Sequence, residues 1–193
     1  DQWVADSDRH KWITPVSRYG IFPAQVLEPG VVVIYDINDH SQEVARLSFN
    51  QVNGRKDKWR VTQYMHSVDS GKMDMIGLQI SSCGSSVDPQ INKFRENGEL
   101  ESSFLLQGLS DRVAEDMAQE CHVDARKRCG LDTNFGCRFS PGYPAMEDIH
   151  NNKVIYDLLK AHELGIQITE ASEFIPTGST GAVAIFHPEV SYA

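Results

Sequence analysis

The feature that most restricts the fold of this chain is a change of hydrophobic period in its middle. Up to about Ile80, apolar residues come in short, β-branched runs separated by turn residues; beyond Ser102 they recur at helical spacing. Phe104, Leu105, Leu109, Val113, Met117 and Cys121 form an apolar stripe on a helix predicted over residues 103–129. Ser102 or Ser103 is placed to cap its start, and Gly130 to stop it. Leu109, Val113 and Met117 are expected to be buried against a sheet.

Residues 31–35 follow the turn at Pro29-Gly30, and residues 44–49 follow the polar loop 36–40, so the two runs are expected to form a hairpin. Residues 60–65 and 73–80 are read as further strands, with Asn53-Gly54 and Ser70-Gly71 as breaks. After the long helix, a shorter one is expected over 153–163, with Val154, Ile155, Leu158 and Leu159 inward and Gly165 beyond its end. Strands at 166–170 and 182–186, separated by the loop 176–181, close the chain. Strand runs on both sides of helices, without βαβ alternation, predict an α+β fold: a twisted antiparallel sheet packed with one long and one shorter helix. Residues 1–193 are read as one domain, with 1–18 a polar N-terminal segment.

Composition narrows the function. A net charge of −9 opposes a phosphate-tracking surface, so nucleic acid is not an expected partner. No apolar run approaches the roughly 18–20 residues that span a bilayer, and no membrane partner is expected. Cys83, Cys121, Cys129 and Cys137 form no Cys-x-x-Cys pair and no zinc-like spacing; they are read as free thiols of a reducing, cytoplasmic compartment. Arg126-Lys127-Arg128 fall at the end of the predicted long helix, where cations complement its dipole. Asp111, Glu115, Asp116, Glu120 and His122 are read as its solvated face rather than as metal ligands, and no metal site is expected.

One segment carries binding chemistry: Arg138-Phe139-Ser140-Pro141-Gly142-Tyr143-Pro144-Ala145. A guanidinium offers a planar fork of donors that matches a carboxylate. Pro141-Gly142 turns the backbone, and Tyr143 supplies a ring face and a hydroxyl. The plainer reading is a Pro-Gly turn whose arginine pairs with a surface acid.

Arg138-x-x-x-Gly142-Tyr143 resembles the signature of the activation domain of cobalamin-dependent methionine synthase. The resemblance extends to Tyr19-Gly20-Ile21-Phe22-Pro23-Ala24, to Gly108-Leu109-Ser110-Asp111-Arg112-Val113-Ala114-Glu115, to Asp157-Leu158-Leu159, to Gly165-Ile166 with Thr169-Glu170, and to His187-Pro188-Glu189-Val190-Ser191-Tyr192. It implies a domain that binds S-adenosylmethionine and presents it to cobalamin carried on a neighbouring domain or subunit. There one electron from a flavodoxin-type donor and the methyl group convert inactive cob(II)alamin to methylcobalamin. It further implies that Arg138 holds the methionine carboxylate, that the turn through Ser140 and Gly142 offers backbone contacts, and that Tyr143 and Tyr192 line the pocket. An aromatic face attracts a ligand cation such as a sulfonium by roughly 0.5–2 kcal/mol.

The family's aspartate for the ligand amino group is not carried over to any residue here, since Asp1, Asp6 and Asp8 stand in no matching motif. No cobalamin-ligating Asp-x-His-x-x-Gly is present, so the corrinoid is expected on a partner and no residue of this chain is assigned a catalytic role. The alternative function is a structural or interaction module that keeps the fold without binding the ligand. A Rossmann-type methyltransferase is disfavoured, because Ile80-Ser81-Ser82-Cys83-Gly84 has a single glycine and Val87-Asp88-Pro89 is a poor helix start.

Overall fold

The computed structural model describes residues 2–50, 61–132 and 134–190. In chain order its elements are α1 (Gln2–His10), β1 (Val16–Glu28), β2 (Val31–Tyr35), β3 (Glu43–Ser48), β4 (Asp74–Ser82), α2 (Val87–Glu96), α3 (Leu100–Arg128), β5 (Cys137–Phe139), α4 (Asn151–Leu158), β6 (Gln167–Ile168), β7 (Phe174–Ile175) and β8 (Ser179–Ile185). Six strands form one antiparallel sheet in the order β3-β2-β1-β4-β8-β5, and β6-β7 form a separate small hairpin.

Strand alternation sends successive side chains to opposite faces of this sheet. The Arg18 guanidinium donates to the Leu159 and Lys160 carbonyls at 2.8 and 3.2 Å, whereas the Tyr19 hydroxyl donates to Asp124 of α3 at 3.0 Å. On the Arg18 side lies the main core. Ala24, Ile76, Leu78, Ile80, Val183 and Ile185 are buried there beneath Ile155 and Leu159 of the α4 region. On the Tyr19 side, β4 and β8 present small or polar groups where α3 lies across them, with Gly77 opposite Ala184 and Gln79 opposite Ala182.

That face sets the register of α3. Its buried line runs through Leu106, Ser110, Ala114, Ala118 and His122, one residue beyond the predicted stripe, while Cys121 of that stripe is buried as well. Leu109, Val113 and Met117 are only half-buried, and Phe104 and Leu105 are exposed. Small helix residues facing small strand residues let the backbones approach. Gln79 Nε2 then reaches the Ala118 carbonyl at 3.1 Å, and bulkier side chains are left to the flanks. The helix also starts earlier than predicted. Glu99 takes the N-cap position, while Ser103 sits inside the first turns with its hydroxyl on the Leu100 carbonyl. Gly130, at φ 68°, follows the end as expected.

Four local readings change. Residues 61–64 form a 3₁₀ turn rather than a strand, with Val61 and Thr62 buried and Thr62 Oγ1 accepting the Gly30 N–H; Arg60 lies outside the described residues. α2 forms despite Pro89, because Pro89 occupies the first turn, where the missing N–H has no intrahelical acceptor. The helix expected over 153–163 begins at Asn151, stops at Leu158 and resumes as a 3₁₀ turn over Ala161–Leu164, with Lys160 at φ 49° between them. Arg18 holds the carbonyls at that break. Toward the C-terminus β8 starts at Ser179, inside the expected loop.

The N-terminal segment folds as well. α1 and the following residues pack on α2 through a small second core of Cys83, Val87, Ile91 and Leu106 with Trp12, Ile13 and Phe94. Trp12 meets Phe94 edge-on at 5.6 Å, and Trp3 stands 6.2 Å from each of them.

Candidate functional site

Arg138 is the central residue of β5, an edge strand of three residues, and lies opposite Ala184. Its neighbour Phe139 points into the main core and is buried, so alternation directs Arg138 to the α3 face. There its guanidinium donates to Glu115 Oε2 at 3.5 Å. The contact is long and engages one nitrogen. Glu115, and Asp111 one helical turn before it, line a cleft of about 500 Å³. Further wall comes from Ser140, Pro141 and Tyr143 in the turn after β5, from Glu173 and Phe174, whose carboxylate and ring also face the cleft, and from the 177–181 segment that opens β8.

Backbone constraints shape this wall. Gly142 has φ 88° and donates its N–H to the Met146 carbonyl at 2.8 Å, closing the turn that carries Tyr143. Gly178 is required by space rather than torsion: a Cβ there would lie 2.6 Å from Cys83 Sγ and 3.0 Å from the Ser110 side chain. Burial pushes the Cys83 thiol up to about 12, so Cys83 backs the wall as a neutral group. Tyr143 is 63% exposed and presents its ring at the rim.

Charge is distributed unevenly here. Behind Arg138, α3 buries His122, whose pKa is lowered to about 4 by burial first and then by Arg126 and Arg138. Neither ring nitrogen has a hydrogen-bond partner among the described residues, and the ring stacks on Phe186 at 6.5 Å. At neutral pH the imidazole is uncharged and adds no third cation beside Arg126 and Arg138.

Of the five residues singled out in the sequence, Ser140 and Tyr143 line the cleft. Arg138 stands beside it, joined to its wall by Glu115, and Gly142 shapes the turn without lining it. Tyr192 lies outside the described residues. Glu115 and Asp111, read from the sequence as solvated face, belong to the site. Their i, i+4 spacing was the available signal, but it gains meaning only when β5 is laid against α3.

A larger cleft of about 830 Å³ lies toward the C-terminal end of α3, over Ile21, Met75 and Phe186. His66, bonded to Asp74, and His187, against the Tyr64 ring, line it. Among the described residues no arginine or lysine lines it, whereas Arg138 stands beside the smaller cleft.

Residues 2–193 match the family described as vitamin B12 dependent methionine synthase, activation domain. The chain belongs to this family. It is 21% identical over 198 residues to a methionine synthase of Mycobacterium leprae (strain TN), a match covering 90% of this chain and 16% of that protein. The crystal structure of the MetH reactivation domain bound to AdoHcy superposes with a TM-score of 0.87 at 21% identity, covering all of this chain and 64% of that one. The activation-domain fold is thus shared throughout, including the α+β class and the antiparallel sheet. No helix among the described residues is long and apolar enough to cross a membrane, and among them no group of His, Cys, Asp and Glu could hold a metal ion.

Proposed function

We propose that this activation domain binds S-adenosylmethionine in the cleft beside Arg138 and presents it for the reductive methylation of cob(II)alamin carried by a partner domain or subunit. The pairing of Arg138 with Glu115 at the cleft carries this reading. A free amino acid brings a carboxylate and an ammonium on one carbon, and a long, single-contact ion pair is a site into which such a zwitterion inserts, each charge replacing the internal partner of the other. Arg138 takes the carboxylate and Glu115 the ammonium, the role for which the N-terminal aspartates offered no candidate. Ser140 and the Gly142 turn supply polar backbone, and Tyr143, with Tyr192, supplies aromatic surface for the sulfonium.

The corrinoid of the partner would supply the cobalt that takes one electron from a flavodoxin-type donor and the methyl group of S-adenosylmethionine, with S-adenosylhomocysteine as the leaving product; this chain's part is to hold and orient the methyl donor. These partners belong to a cytoplasmic setting. Calorimetric titration of the purified chain with S-adenosylmethionine tests the binding step. Arg138→Ala should weaken it by about 1.5–3 kcal/mol, and Arg138→Lys should recover only part of the loss, because charge returns without the fork. Equal affinity in parent and Arg138→Ala would remove Arg138 from the site, and no binding by the parent would leave a module that keeps the fold alone.

A further inference from the structure

We infer that Arg126 is the positioning residue for Arg138, acting through the backbone that leads into β5; the inference rests on the ligand reading above. β5 has only three residues and lies at the edge of the sheet, so its ladder to β8 gives little hold on the residue that must clamp a ligand. The structure adds a second hold. Arg126, 8% exposed, donates from Nε to the Phe135 carbonyl at 2.9 Å and from its terminal nitrogen to the Gly136 carbonyl at 2.7 Å. Successive carbonyls of an extended chain point apart. Here Gly136, at φ 75°, lets both converge on one guanidinium. The same glycine is pressed onto β8, where a Cβ would lie 2.2 Å from the Ile185 carbonyl oxygen. The segment before Arg138 is therefore held between α3 and β8.

The geometry makes this more than a stabilising contact. Arg126 and Glu115 lie on the same helix, about three turns apart. Because the carbonyls that Arg126 grips lie two and three residues before Arg138, the clamp and its carboxylate partner are referenced to one rigid element. Buried His122, near both guanidiniums, carries no charge at neutral pH and so adds no third cation beside them. A lysine at 126 keeps the charge but cannot bridge two carbonyls in a plane, and a glutamine keeps amide donors without the charge.

Two measurements on Arg126→Lys and Arg126→Gln test the assignment, either variant sufficing if the other does not fold. In the ligand-free chain, amide hydrogen exchange at Arg138 and its β5 neighbours should accelerate about tenfold or more, while the β1–β4 ladder keeps the parent rate. Unchanged β5 exchange, or an equal rise over the whole sheet, overturns the inference. The second measurement compares affinity for S-adenosylmethionine with that for its decarboxylated analogue. A misplaced Arg138 should bring the ratio of the two at least severalfold closer to one, and adding Arg138→Ala should change it little further. Equal weakening of both ligands would show a merely structural role and overturn the inference. If the parent binds neither ligand, the ligand reading fails while the exchange result still decides whether Arg126 holds β5.

Discussion

At the scale of single residues, the ion pair between Arg138 and Glu115 separates stability from binding. Glu115 is 57% exposed and its contact is 3.5 Å long. Such a pair contributes about 0–1 kcal/mol to folding, whereas a charged hydrogen bond to a bound ligand contributes about 1.5–3 kcal/mol. Glu115→Gln is expected to leave the urea midpoint nearly unchanged and to weaken S-adenosylmethionine binding by that larger amount, as read by calorimetry. A midpoint that falls with unaltered affinity would make the pair structural. The arginine of this pair was legible in the sequence, since a guanidinium three residues before a Pro-Gly turn is a local pattern. Its acid was not, because on the helix itself Glu115 looks like any other solvated carboxylate.

At the scale of elements, the close approach of α3 to the sheet makes an opposite demand from the one its sequence suggests. Were Leu109 a core residue of the predicted stripe, its truncation to alanine would cost about 2–5 kcal/mol. Half-buried at the flank, Leu109→Ala is expected to cost less than about 1.5 kcal/mol. Ala118 is fully buried where Gln79 meets its carbonyl, and Ala118→Leu should cost about 1–3 kcal/mol by forcing helix and sheet apart. Urea unfolding of the two variants orders them, and a larger loss at Leu109 would contradict the register. Hydropathy favoured the larger side chains of the helix, whereas the shape of the opposing strands selected its serines and alanines. α2 and the 61–64 turn show the same priority of packing over propensity, for Pro89 is tolerated by position and Val61 is buried without a strand ladder.

At the scale of the whole molecule, His122 links folding to acidity. It is buried uncharged, so below its ordinary value the unfolded chain binds a proton that the folded chain does not. Stability should therefore fall as pH drops from 6.5 toward 4, by up to roughly 3 kcal/mol, and level off for this group below that range. Denaturant melts across that window check the sign, and His122→Leu should lack this component. The other whole-molecule expectation is dependence on a partner: alone the chain should transfer no methyl group to homocysteine, while with a cobalamin-loaded partner, a one-electron reductant and S-adenosylmethionine it should promote conversion of cob(II)alamin to methylcobalamin, followed by visible absorption. Conversion at the same rate without the chain would refute this. By itself the sequence determined the α+β class, the existence of the long helix with Gly130 beyond its end, and the turn after Arg138, because periodicity and turn chemistry are settled among neighbours in the chain. Only the tertiary structure decided which face of α3 is buried, what becomes of residues 61–64, and which acid meets Arg138. Those outcomes depend on the shape of a surface assembled from β1, β4, β8 and β5, strands that stand side by side only after folding.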